Sequence, residues 1–189
     1  MSQKLINHNS DLRRLQEEGY EISVTGSYLV MRNVPYVNNK RKVELGALVS
    51  ELTLAGDKTV RPSTHVMYLA GNMPCDKSGR PLHKIVNGSA SVSFADGEIA
   101  RVSMSSKPSS GYDDYYEKFT TYAAMLSHHA AAIQPSATAK TFVVPATDSD
   151  DDVFTYLDTA TGRAGIEDVS QKLRAHKIGI IGLGGTGAY

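Results

Sequence analysis

Ser89–Met104 reads SASVSFADGEIARVSM. Branched and aromatic residues alternate with polar ones on either side of Asp96-Gly97, a turn pair that strongly favours two antiparallel strands. A hairpin in the middle of the chain predicts an antiparallel sheet, and the flanking sequence extends it. Upstream, YEISVTGSYLVMRNV (Tyr20–Val34) has the same alternation around Gly26-Ser27 and predicts a second hairpin. KVELGALVSELTLAG (Lys42–Gly56) continues the sheet, with Val43, Leu45, Leu48 and Leu52 expected to point inward and Gly46 expected at a bulge. STHVMYLAG supplies a strand over Thr64–Ala70, and GNMPCDKSGRPLHK after it reads as an irregular exposed loop, being rich in Gly and Pro.

Downstream the period changes. In SSGYDDYYEKFTTYAAMLSHHAAAI (Ser109–Ile133), residues Tyr112, Tyr115, Tyr116, Phe119, Tyr122, Leu126, Ala130 and Ile133 recur at spacings of three and four. That stripe predicts a long amphipathic helix, with Ser110 as its cap and Gln134-Pro135 closing it. A short helix near the N-terminus is expected between a cap at Asn9 or Ser10 and a stop at Gly19, with Leu12 and Leu15 on one face. KTFVV (Lys140–Val144) reads as a single strand.

The fold class is therefore α+β: an antiparallel sheet with a short N-terminal helix and one long amphipathic helix packed on it. PATDSDDD then shifts the composition to polar and acidic, and two short helices are expected before a final apolar strand in KIGIIGLGGTGAY. The expected organisation is an α+β domain over 1–146, an acidic linker with connector helices over 147–176, and the start of a nucleotide-binding domain over 177–189.

Composition limits the function classes. The chain has 189 residues with 20 basic and 20 acidic side chains, so it has no overall charge to attract nucleic acid or an anionic membrane. The basic residues are scattered along the sequence, at Arg13, Arg14, Lys40 to Lys42 and Lys107, and are expected to be solvated. Neither a signal peptide nor a long apolar span is visible, and one cysteine cannot build a disulfide framework; a cytoplasmic location is expected.

Gly182, Gly184 and Gly187 match the G-x-G-x-x-G fingerprint after the strand IGII. Such glycines allow a tight turn, close approach of phosphate to backbone, and close helix–strand packing. With Gly185, the doubled glycine in GLGGTG resembles the loop of ThiF-type adenylating proteins, the family that includes ubiquitin-activating enzymes. YLVMRNVPYVNN, FADGEIARVSMSSKPSSGYDDYYEKFTTYA and TYLDTATGRAGIEDVSQKLRAHKIGIIGLGGTGAY extend that resemblance over nearly the whole chain. They resemble the N-terminal extension of bacterial ThiF-family proteins found beside multi-ubiquitin genes. The resemblance implies that the chain is the front end of a longer adenylyltransferase, with a Rossmann-type domain cut off after its first strand. It also implies ATP and Mg²⁺ in the intact parent, and Gly182, Gly184, Gly185, Thr186 and Gly187 at the phosphates. Ala188 stands where many relatives have serine. A ubiquitin-like protein and a conjugating enzyme are the implied partners, and this chain alone is expected to lack adenylation activity.

Cys75 is the candidate catalytic residue. A thiolate can accept an acyl group from an acyl-adenylate, and Asn72, His65 and His83 stand close enough in sequence to assist. The order of short helix, antiparallel strands and irregular loop resembles the ubiquitin-conjugating fold. The His-Pro-Asn signature of that family is missing, however, and Asp76 beside Cys75 raises the thiol pKa. A structural cysteine is the competing reading. No metal site is expected, because His65, Cys75 and His83 lack ligand spacing, adjacent His128 and His129 cannot face one ion, and DSDDD lacks the rest of a calcium loop. Three functions remain open: a docking domain for a ubiquitin-like protein or its conjugating partner, an acyl carrier using Cys75, and a truncated dinucleotide-dependent oxidoreductase.

Overall fold

The computed structural model describes residues 2–143. Helices α1 (Ser2–His8) and α2 (Ser10–Glu17) come first, followed by β1 (Ile22–Thr25), β2 (Tyr28–Val37) and β3 (Val43–Glu51). A small hairpin of β4 (Leu54–Ala55) and β5 (Lys58–Thr59) leads to β6 (Val66–Ala70). The chain continues through β7 (Val86–Ala95) and β8 (Glu98–Ser105) to helix α3 (Tyr115–Ala131). Six strands form one antiparallel sheet in the order β1-β2-β3-β6-β8-β7, so the fold is α+β. The acidic linker, the connector helices, the final strand and the glycine loop expected over 147–189 lie outside the described residues. Among the described residues, no helix is long and apolar enough to cross a membrane.

Both hairpins form where the turn residues place them, with Thr25 opposite Tyr28 and Ala95 opposite Glu98. One row of the sheet, Met31, Leu48, Leu69 and Val102, lies in the main core. The helices cover this face: Leu12 and Leu15 of α2 and Tyr115, Phe119, Tyr122 and Leu126 of α3 are fully buried in it. Burying side chains of this size contributes about 1.5–3 kcal/mol each before chain entropy is charged against it. The tyrosine hydroxyls stay bonded at the strand ends. Tyr115 Oη accepts from Thr53 N (2.7 Å), and Tyr122 Oη donates to His65 O (2.6 Å) and accepts from Ser106 N (2.6 Å).

The adjacent row, Val30, Val49 and Tyr68, belongs to a second, smaller cluster. It is closed by Phe94 and Ala100 from the tip of the β7–β8 hairpin. Only the second half of β8, Val102–Ser105, pairs with β6, so the first half is available to this cluster. The β7–β8 pairing carries three register shifts, and Arg32 of β2 clamps the hairpin tip through a two-pronged bond to Glu98 (3.0 and 2.8 Å).

Several expectations need correction. The bulge is in β2, between Met31 and Val34, and not at Gly46. Asn33 takes the left-handed conformation there (φ 56°), which asparagine tolerates. The inward phase of β2 therefore switches from Leu29 and Met31 to Val34 and Tyr36, while β3 alternates without interruption. Leu48 is inward, but Leu45 has the opposite phase and is 62% exposed. The strand expected from Thr64 begins at Val66.

α3 is capped by Asp114, not Ser110: the Asp114 carboxylate accepts from Glu117 N (2.7 Å) while Glu117 accepts from Asp113 N (2.7 Å). Ile133 falls beyond the helix and is exposed. Asn9 does flank α2, but its side chain makes no cap; it accepts from Thr59 N (2.8 Å) and donates to Asp57 O (2.9 Å), tying the N-terminus to β5. Lys140–Val143 does not form a strand. Lys140 bridges Tyr20, Thr141 and Phe142 both donate to Gly19 O, and Phe142 turns left-handed (φ 52°) with its side chain exposed.

Candidate functional site

Tyr36 and Glu44 are opposite each other on β2 and β3. Glu44 Oε2 accepts from Tyr36 Oη (2.5 Å) and from Asn72 Nδ2 (2.9 Å), and Glu44 Oε1 accepts from Asn38 Nδ2 (2.6 Å). Tyr36 Oη in turn accepts from Asn72 N (2.8 Å), which pins the start of the loop after β6 to the strand pair. The hydrogen bonds, that from Tyr36 first, hold the Glu44 carboxyl below its usual range. Burial, reinforced by the bond to Glu44, pushes the Tyr36 phenol up to about 12. At neutral pH the pair is therefore a fixed carboxylate under a fixed phenol.

This group floors an open depression of about 520 Å³ lined by Tyr36, Glu44, Leu45, Gly71, Asn72, Ile99 and Arg101. Gly71 fits close to the floor, since a Cβ there would lie 3.0 Å from Tyr36 Oη. Leu45 stands exposed at the rim, and Arg101, also exposed, forms no ion pair among the described residues. Glu44 accepts three hydrogen bonds, two at Oε2 and one at Oε1, so its carboxylate is held in place by its neighbours. The depression presents a cation, two aliphatic side chains and an amide edge.

Cys75 does not belong to this site. The loop that carries it is exposed at most positions, as expected, but Pro74 and Cys75 turn inward, and Cys75 is 1% exposed. Its backbone bridges Val37 and Pro81, with Cys75 N donating to Val37 O (2.7 Å), and its side chain packs with Val37 and Ala130. The thiol points to Met73 O (3.5 Å). Burial and then Asp76 push its pKa up, against thiolate formation. Asn72, expected to assist it, spends its side chain on Glu44. His83 is exposed, and among the described residues no group of three His, Cys, Asp or Glu side chains could hold a metal ion. His128 and His129 stack edge to face 5.5 Å apart, with His128 exposed.

Two features escaped the sequence reading. Glu44 was legible only as a polar residue in an apolar run. Lys118 carried a better signal, because it shares the helical face of Tyr115, Phe119 and Tyr122. It is fully buried, and its Nζ donates to Ser50 Oγ and Thr64 O, both at 2.8 Å. Burial lowers its pKa to about 8, with Glu51 acting against the shift.

No curated protein and no solved structure matches the chain. A family model does, a domain of unknown function (DUF6791), over residues 10–159, a span that takes in the sheet, α3 and the whole depression. The chain belongs to the DUF6791 family.

Proposed function

We propose that the domain is a docking module of a ThiF-type adenylyltransferase, and that the depression at Tyr36–Glu44–Asn72 receives the C-terminal segment of a ubiquitin-like protein. The observation that carries this reading is Arg101, without an ion pair among the described residues, beside exposed Leu45 and over a floor whose carboxylate is held by three hydrogen bonds. A terminal carboxylate suits Arg101, and an extended backbone suits the amide of Asn72. ATP and Mg²⁺ belong to the adenylating parent, whose phosphate loop begins at Gly182, Gly184, Gly185, Thr186 and Gly187, outside the described residues. Titrating the isotope-labelled full chain with ubiquitin should shift the amide signals of Leu45, Asn72, Ile99 and Arg101. Arg101→Glu, or removal of the last residues of ubiquitin, should abolish the shifts. Shifts confined to another face, or unchanged binding by Arg101→Glu, would sink the reading. ATP–pyrophosphate exchange by this chain alone should stay at background.

A further inference from the structure

Two loops of unrelated sequence fold into the same turn. In residues 38–42, Asn38 N donates to Lys42 O (2.9 Å) and Arg41 N to Asn38 O (3.0 Å). The Asn38 side-chain oxygen accepts from Lys40 N (2.8 Å) and Lys42 N (3.0 Å). In residues 76–80, Asp76 N donates to Arg80 O (2.8 Å) and Gly79 N to Asp76 O (2.9 Å). The Asp76 carboxylate accepts from Ser78 N (2.8 Å) and Arg80 N (3.1 Å). The turns stack on each other, since a Cβ on Gly79 would lie 3.0 Å from Arg41 Cγ and 3.1 Å from Asn39 O.

Both turns need a left-handed residue at their fourth position. The second uses Gly79 (φ 83°), but the first places Arg41 there (φ 61°). A non-glycine residue in that region is strained, and such violations concentrate where a side chain is needed. The acids at and beside these turns are engaged: Asp76 is held by its own turn and by Arg80 Nε (3.1 Å), and Glu44, two residues past the first turn, accepts three hydrogen bonds. Lys40, Arg41, Lys42 and Lys77 are all exposed, and none forms an ion pair among the described residues. A chain with equal numbers of acids and bases thus presents a rigid cationic end. Folding brings the turn that carries Lys77 beside the sequence run Lys40–Arg41–Lys42.

We propose that the stacked turns 38–42 and 76–80 form a docking surface for an acidic segment of a protein partner. This surface is separate from the proposed use of the Arg101 depression, and neither reading depends on the other. A protein partner fits better than nucleic acid. Among the described residues no exposed aromatic ring accompanies the four cations to stack a base, and the neighbouring Met73 (40% exposed) offers apolar surface.

The test is fluorescence anisotropy of the full chain with a labelled short peptide of aspartates and glutamates around one leucine, with a labelled DNA duplex alongside. The peptide should bind at low salt and weaken as salt rises. The double variant Lys42→Glu with Lys77→Glu should bind at least about tenfold more weakly, as expected for reversing cations at a complementary surface. Arg41→Gly guards against misfolding as the cause, because it relieves the left-handed strain. It should keep or raise the melting temperature and still bind about threefold more weakly. Peptide affinity unchanged in both variants, absence of peptide binding by the natural chain, or tighter binding of the duplex than of the peptide at the same salt would overturn the proposal.

Discussion

Replacing Lys118 by methionine isolates the energetic consequence of placing an ammonium group under α3. The natural side chain is fully buried, and its pKa is lowered to about 8, mainly by burial. In the unfolded chain the pKa returns to about 10.4, so between the two values the unfolded state binds more protons than the folded one. Stability contributed by this group must therefore rise with pH across that window; below it the full cost of burying the charge is present. The two pKa values give a gain of about 2.5 kcal/mol between about pH 7 and pH 10. Lys118→Met removes that gain while keeping every other titrating group. At neutral pH its net effect is small, because deleting the buried charge offsets leaving Ser50 Oγ and Thr64 O without their donor. The slope is thus the diagnostic quantity. Urea unfolding of both full-length chains at several pH values should show the natural protein gaining on the variant by about 2.5 kcal/mol. A difference that stays flat across the range would refute the reasoning, and a difference of opposite slope would mean that the ammonium is stabilised in place.

Cys75 should react with an aromatic disulfide reagent far more slowly in the native chain than in urea, because it is covered and its thiol pKa is raised. Native modification as fast as in urea would contradict the burial, and a reductant-sensitive adduct on Cys75 with full-length activating protein, ATP and a ubiquitin-like substrate would favour the acyl-carrier function. Asp114→Ala should lower stability by about 1 kcal/mol, read from the urea midpoint, with Asp114→Asn losing less because it keeps an acceptor for Glu117 N.

What the sequence disclosed of the fold was its local grammar. Asp96-Gly97 and Gly26-Ser27 declare their hairpins because turn and alternation agree there, and the tyrosine stripe of α3 declares a buried face. The inward set of β3 was misjudged for a nonlocal reason. Val43 and Leu45 have one phase and Leu48 and Leu52 the other, which requires a bulge if all are to be inward. The bulge exists, but on the partner strand at Asn33, where no glycine marks it. The candidate site was illegible for a similar reason. Tyr36, Glu44 and Asn72 meet through strand register and a loop return, neither of which leaves a spacing in the sequence. Cys75 was misplaced because the loop rich in Gly and Pro is exposed at most positions, as read, but two backbone bridges at Cys75 itself turn that one residue inward.

The division of the main core between early strands and a late helix has a consequence for synthesis. Leu29, Met31, Leu48, Met67 and Leu69 leave the ribosome well before Tyr115, Phe119, Tyr122 and Leu126, which complete their cover. The meander through β3 has short connections and can pair as it emerges, with only Ile6, Leu12 and Leu15 to shelter it. At translation rates of about 5–20 residues per second, the stretch from Leu69 to Tyr115 takes a few seconds to make. Only then can Asp11 accept the hydrogen bond from Tyr115 N, a contact spanning 104 residues of chain. A pause in translation between β6 and α3 therefore lengthens the time for which this apolar face is open to chaperones and to other nascent chains.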